Sequence, residues 1–287
     1  MLLRDTISPN RAVSTPVRTE DLLTRICVRP PYFALQGLRF EPGHLQARVS
    51  AERPQGPELG AIQGAELSRH AAIAGLSVAA LSQDDDQRRY YLAQQAHFEG
   101  FPSEAPYGSE VELDAELLTL SKREARARVT ARSEGQVIAV VEVLYSILTD
   151  AAFSRLFRSR ERPAFGPLSV NAMPDLPAGD TSVTGGRWTR EVPEVPEAAC
   201  AGHFERYPAM PVAILMGQLC QLAGQALGGP YVVADAEVDA HDFCWAGEAA
   251  TFEVRPVSSA GPRVVFECQA SASGRPVGRM TLTLYRR

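Results

Sequence analysis

The stretch PVAILMGQLCQLAGQALGGP, residues 211–230, carries no charged side chain and ends on two glycines and a proline. From Pro211 to Leu227 its apolar residues surround a helix on nearly every side, interrupted by Gln218, Gln221 and Gln225. Such a helix buries most of its surface inside a protein. It is short for a bilayer span, and Gly228-Gly229-Pro230 ends it, so no membrane segment is expected. Next comes PYVVADAEVDAHDFCWAGEAATFEVRPV, residues 230–257. Two more strand-like runs follow, Arg263–Ala270 and Val277–Tyr285, separated by a turn at Ser273-Gly274. A buried helix followed by long antiparallel strands implies a sheet wrapped around that helix.

The same unit is written earlier in the chain. An Ala-rich helical segment, roughly Gly60–Leu81, precedes YYLAQQAHFEGFPSEAPYGSEVELDAELLTL, which starts at Tyr90. There Val111, Leu113, Ala115 and Leu117 alternate with polar neighbours, the period of a half-buried strand. Ala125–Arg132 and Val137–Leu148 follow, with Glu134-Gly135 placed as Ser273-Gly274 is in the second copy. Neither copy alternates strand with helix as a parallel sheet requires, so the fold class is α+β. The duplication predicts an N-terminal unit over 20–150 and a C-terminal unit over 181–287. Residues 151–180 connect them, and Arg155–Asp180 reads as a linker rich in Pro, Arg and Gly.

Composition narrows the function. The chain has 287 residues, 45% hydrophobic and 22% charged, which supplies ample material for a folded core. Its 29 Lys+Arg against 34 Asp+Glu give a net charge of −5, which argues against nucleic acid as the main partner. The five cysteines (27, 200, 220, 244 and 268) form no CxxC pair, and the first residues show no signal-like apolar stretch. Reduced thiols in the cytoplasm are the expectation. The five histidines lack metal-binding spacing and no glycine-rich phosphate loop occurs, so neither a metal nor a nucleotide cofactor is expected.

Residues His203–Gly217, HFERYPAMPVAILMG, resemble the signature of the hotdog-fold 3-hydroxyacyl-[acyl-carrier-protein] dehydratases: His-Phe-Pro-Gly-x-Pro-x-Met-Pro-Gly, then an acid fourteen residues after the histidine. The His-Phe pair, Pro208 and Met210-Pro211 fall at the family's spacing. The resemblance implies a double hotdog, two antiparallel sheets each wrapped around a long central helix and joined edge to edge, as a monomer or homodimer. It implies dehydration of 3-hydroxyacyl thioesters in polyketide, fatty acid or specialised lipid synthesis. The substrate would ride on the phosphopantetheine of an acyl-carrier protein or on coenzyme A, with no other cofactor.

The departures from the pattern come as a pair. Gly217 stands where the family places its acid, with Gln221 four residues on. In the N-terminal helix, Glu66 is matched to the acid's place and His70 to that of Gln221, but no histidine lies near Glu52, fourteen residues earlier. One composite site, His203 with Glu66, would survive, and its counterpart would be lost. There His203 would take the C2 proton and Glu66 would protonate the leaving hydroxide. The backbone N–H of Val212 would face the developing oxyanion, with Glu205-Arg206 in place of the family's Pro-Gly. His70 and Gln221 would position Glu66 or a water, and Tyr207 would line the pocket; Gln221 as a core polar group and Tyr207 as packing are the blander readings. Cys200 reads as a buried thiol. A basic run, Arg155, Arg158, Arg160 and Arg162, would suit an acidic carrier protein or be a solvated linker. Two alternatives use the same fold: an acyl-thioesterase relying on the helix Glu, and a non-catalytic acyl-carrier-binding paralogue.

Overall fold

The computed structural model describes residues 14–163 and 179–287. A short strand β1 (Thr15–Pro16) and helix α1 (Thr19–Arg25) lead into a hairpin, β2 (Gln36–Glu41) and β3 (His44–Val49). Helix α2 (Gly64–Leu81) and strands β4 (Arg89–Gly100), β5 (Val111–Leu120), β6 (Glu124–Ser133) and β7 (Gln136–Thr149) complete the first half. After α3 (Asp150–Leu156) the order repeats, beginning with a hairpin of β8 (Asp180–Thr184) and β9 (Arg187–Val192). Helix α4 (Val212–Leu227) then precedes β10 (Tyr231–Ala240), β11 (Ala250–Ala260), β12 (Arg263–Ala272) and β13 (Arg275–Arg286).

The described strands form one antiparallel sheet in the order β1-β2-β3-β5-β6-β7-β4-β10-β13-β12-β11-β9-β8. Outward from its middle, β4-β7-β6-β5-β3-β2 on one side matches β10-β13-β12-β11-β9-β8 on the other. The halves meet where β4 pairs with β10, with Phe98 opposite Ala236, His97 opposite Glu237 and Ala96 opposite Val238. The edge-to-edge sheet that the family resemblance implies is therefore present. Glu134-Gly135 and Ser273-Gly274 each have two successive positive φ angles (49° and 77°, 47° and 78°), which a two-residue hairpin turn with the right twist requires.

Two parts of the sequence reading change. Each central helix is preceded by a hairpin that the periodicity did not reveal; β8 is exposed along its whole length and carries no buried face to announce it. The expected linker begins as structure. Thr149 caps α3 by accepting the Ala152 N–H (3.2 Å), and Phe153 stacks on Tyr90 with ring centroids 3.7 Å apart. Residues 164–178, most of that linker, lie outside the described residues.

Both helices lie on the same face of the sheet, and one apolar cluster runs through both halves. Their many small residues let them approach closely. The Tyr145 hydroxyl on β7 donates to the Ala72 carbonyl of α2 (2.8 Å), and a Cβ on Gly75 would lie 2.4 Å from that oxygen. In the second half a Cβ on Gly224 of α4 would lie 2.3 Å from the Tyr231 ring. Between the helices, Gly217 faces Ala65, with room for an added Cβ at 3.5 Å.

Alanine is the better helix former by about 1 kcal/mol. Gly75→Ala should nonetheless destabilise the protein by about 2 kcal/mol, because the Tyr145 contact cannot yield without losing its hydrogen bond. Urea unfolding of the two proteins checks this; an unchanged or raised midpoint contradicts the close approach.

Candidate active site

An apolar cavity of about 200 Å³ lies between the two helices and the β4–β10 junction. Gly64, Ala65, Ser68 and Ala72 of α2 and Val212, Ala213, Met216 and Cys220 of α4 form one wall. Ala96 and Phe98 of β4 with Val233, Ala236 and Val238 of β10 form another. His203, Phe204 and Phe243 line one end with Val28 and Tyr32 from the N-terminal half, so the site is composite.

The His203 segment is clamped between the halves. Arg29 N–H donates to Gly202 O (2.7 Å) and Phe204 N–H to Cys27 O (3.1 Å), while Met210 N–H donates to Cys244 O (2.7 Å). Gly202 has φ +74°, and a Cβ there would meet Arg29 O at 2.2 Å, so the close approach demands glycine. Phe204 also sits in the left-handed region, at φ +57°, a strained conformation for a bulky residue. Its ring stacks on the His203 imidazole at 3.8 Å, and Tyr32 meets that imidazole edge-on at 5.2 Å.

His203 has one ring nitrogen, Nδ1, 2.8 Å from Ala209 O. A carbonyl only accepts, so Nδ1 carries the proton and Nε2 keeps a free lone pair. Burial pushes the imidazole down to about 4, opposed by the Ala209 contact, so it is neutral near pH 7. The first amides of α4, Val212 and Ala213, have no intrahelical acceptor, and the N-cap Pro211 supplies no side-chain cap. Val212 and Ala213 both line the cavity. Asp242 is the one carboxylate among the described lining residues. It is engaged by Arg275 and accepts the Phe243 N–H (2.7 Å).

Glu66 does not line this cavity. It lines a small cleft with Arg69, Gly217, Gln218 and Gln221, which adjoins the cavity at Ala65 and Ala213. Its Oε1 accepts the Glu52 N–H (2.6 Å) and lies 3.9 Å from His70 Nε2. Arg69 Nη2 reaches Glu52 Oε2 at 2.5 Å and His70 Nε2 at 3.0 Å. Burial raises the Glu66 carboxyl, but the nearby His70, the hydrogen bond from the Glu52 amide and the Arg69 charge outweigh it, so its acidity is increased rather than held back. The expected pairing of His203 with Glu66 in one pocket is therefore corrected. The reason is helical register. Counted from the N-caps Gln63 and Pro211, Gly217 is matched by Arg69 and Glu66 by Ile214. Glu52, Glu66 and His70 could by spacing hold a metal ion, their ligand atoms lying within 4.8 Å of one another. The Arg69 guanidinium already occupies that cluster as its cation.

The other expected site residues separate. His70 is fully buried in the Glu52–Arg69 cluster and does not line the cavity. Gln221 is exposed at the rim of the cleft. Tyr207 is buried in an aromatic group with Phe153 and Phe204 rather than in the pocket. All five cysteines are unpaired and buried, and burial drives the Cys200 thiol up to about 12.

Sequence reasoning missed one group. Glu58, 7% exposed, precedes α2 and accepts the Gly64 N–H through Oε1 (2.5 Å). Desolvation raises its carboxyl to about 7, with the Gly64 bond opposing and the Glu66 charge adding to the rise. Its nearest sequence signal is its place, six residues ahead of the helix.

Comparison with solved structures settles the fold. A TesB protein of Mycobacterium avium subsp. paratuberculosis aligns over 88% of this chain and 95% of its own, at 17% identity and TM-score 0.57. A hotdog-fold protein of Alicyclobacillus acidocaldarius aligns over 87% and 95%, at 11% identity and TM-score 0.52. The chain is a double hotdog. Acyl-CoA thioesterase II TesB2 of Mycobacterium marinum aligns over 93% and 97%, at 14% identity and TM-score 0.51. At these identities the likeness is one of fold. No protein-family model and no curated protein matches the chain. Among the described residues no helix is long and apolar enough to cross a membrane.

Arg69→Met should destabilise the protein by about 3 kcal/mol in urea unfolding, since it strands Glu52 and His70. A second outcome concerns pH. Between the usual carboxylate value, 4.5, and about 7, folded Glu58 keeps a proton that the unfolded chain releases. Stability then falls as pH rises through that window, by about 3 kcal/mol, and levels off above it. Glu58→Gln removes this dependence. Its unfolding free energy relative to the native protein should improve between about pH 5 and pH 8; a constant difference would contradict the raised carboxyl.

Proposed function

We propose that the protein binds acyl thioesters in the cavity at His203 and hydrolyses them, as an acyl-thioesterase. The observation that carries this reading is the cavity's chemistry. It offers the neutral His203 imidazole with a free Nε2, a second imidazole on His241, the first turn of α4 at Val212 and Ala213, and a long apolar wall, while its carboxylate, Asp242, is tied to Arg275. Dehydration needs an acid for the departing hydroxide as well as a base, and Glu66 does not line the cavity. Hydrolysis needs only the base and a water. Several solved structures of the same fold are named as thioesterases, which supports the same choice.

In this mechanism Nε2 of His203 takes a proton from water as the water oxygen bonds to the thioester carbon. The carbonyl electrons move to oxygen, where the Val212 and Ala213 N–H groups and the positive end of α4 receive the charge. The intermediate collapses, the C–S bond breaks, and His203 returns the proton to sulfur. The acyl chain lies along the β4–β10 wall. Coenzyme A or the phosphopantetheine of a carrier protein supplies the thiol. The signature-like spacing around His203 supports acyl-thioester binding without requiring the dehydratase outcome.

His203→Ala should lower thiol release from decanoyl-CoA by about 10²-fold or more, with folding intact. Glu66→Gln should leave the rate within about twofold. Because protonation silences a base, the main activity should hold from about pH 8 down to about pH 5 and fall as the pH approaches about 4. Water loss from a 3-hydroxydecanoyl thioester without thiol release would restore the dehydratase reading.

A further inference from the structure

The cavity at His203 does not stop at its far wall. Gly64, Phe98 and Val233 line both it and a second, larger cavity of about 850 Å³. Val233 lies near the start of β10, and Phe243, beside His203, lies just past its end, so the two openings are at opposite ends of the junction. The second cavity is headed by Glu58. Backbone bonds on both sides fix that residue, from Leu59 N–H to Tyr231 O (2.8 Å) and from Tyr231 N–H to Pro57 O (3.1 Å). Oε1 is held by the Gly64 amide, and the carboxyl lines the cavity. Leu59 and Phe101, 38% and 39% exposed, give this cavity an apolar mouth, and Arg286 and Arg287 stand at its rim. Glu58 stands six residues before α2 and His203 nine before α4, each lining its own cavity.

We infer that Glu58 forms a second acyl-thioester centre, which takes an acyl-CoA with its chain in the second cavity, against Ile62, Leu67 and Ile138, and its phosphates toward Arg286 and Arg287. The inference rests on the hydrolytic reading of the His203 cavity. A carboxyl near 7 is half ionised at neutral pH, which suits a general base. Ionised Glu58 takes a proton from water as the water oxygen bonds to the thioester carbon. The C–S bond then breaks, and the proton passes from Glu58 to the departing sulfur. Acid and thiol leave, and the carboxylate is regenerated.

Thiol release from decanoyl-CoA by the native protein, His203→Ala, Glu58→Gln and the double variant tests this. His203→Ala should retain a residual rate that rises with pH through about 7, and adding Glu58→Gln should reduce that residue about tenfold or more. A residue in His203→Ala that is absent, or that Glu58→Gln leaves untouched, overturns the second centre while the first stands. Full activity in His203→Ala with loss in Glu58→Gln instead overturns the His203 reading and leaves Glu58 as the base. Calorimetry with the non-hydrolysable decanoyl-CoA thioether is independent of turnover and of any folding defect in the variants. Two thioether molecules per native chain are expected, and one overturns the proposal.

Discussion

Five backbone pairs between β4 and β10, from Glu99↔Asp235 to Gln95↔Asp239, hold the two halves in one sheet. Side chains reinforce the seam: His97 Nε2 lies 3.0 Å from Asp235 Oδ2, and Gln95 Nε2 donates to Asp239 Oδ1 (3.0 Å). Because the pairing is antiparallel and centred on His97 and Glu237, it brings α2 and α4 side by side over the same strands. The apolar space beneath them then belongs to neither half alone. Everything ascribed to the His203 end, including the participation of Val28 and Tyr32, follows from that seam.

Much of this was legible from residues alone. A charge-free helix and period-two strands need only a core to bury against, so both central helices and the four strands flanking the paired turns, β6, β7, β12 and β13, are found within a few residues of where the pattern puts them. The hairpins before each helix were not legible. β2 and β8 are largely exposed, and short exposed strands take their conformation from the neighbour they pair with rather than from their own pattern.

The site divides in the same way. His203 stands out because its spacing to Met210-Pro211 places it before a buried helix. Glu66 misled because an acid followed four residues later by a polar group is a repeating feature of helix surfaces. A shift of three positions moves a side chain to a different part of the helix circumference, and the partners of Glu66 are then Glu52 and His70 rather than substrate. Glu58 gave no local sign because its burial is imposed by Tyr231 on β10, far away in sequence. Desolvation is a property of the assembled fold, and no window of sequence contains it.

The buried thiols bear on how the molecule can be observed. Each of the five cysteines is screened from solvent and is a weaker acid than an ordinary thiol, so little thiolate exists to attack a disulfide reagent while the chain stays folded. A colorimetric thiol reagent therefore reports the product of the reaction and not the catalyst, and the same reagent added without substrate becomes a clock for transient opening. Cys200 and Cys244 flank the clamped His203 segment, whereas Cys268 lies out on β12. The order in which those sulfurs acquire label would map which part of the double sheet loosens first.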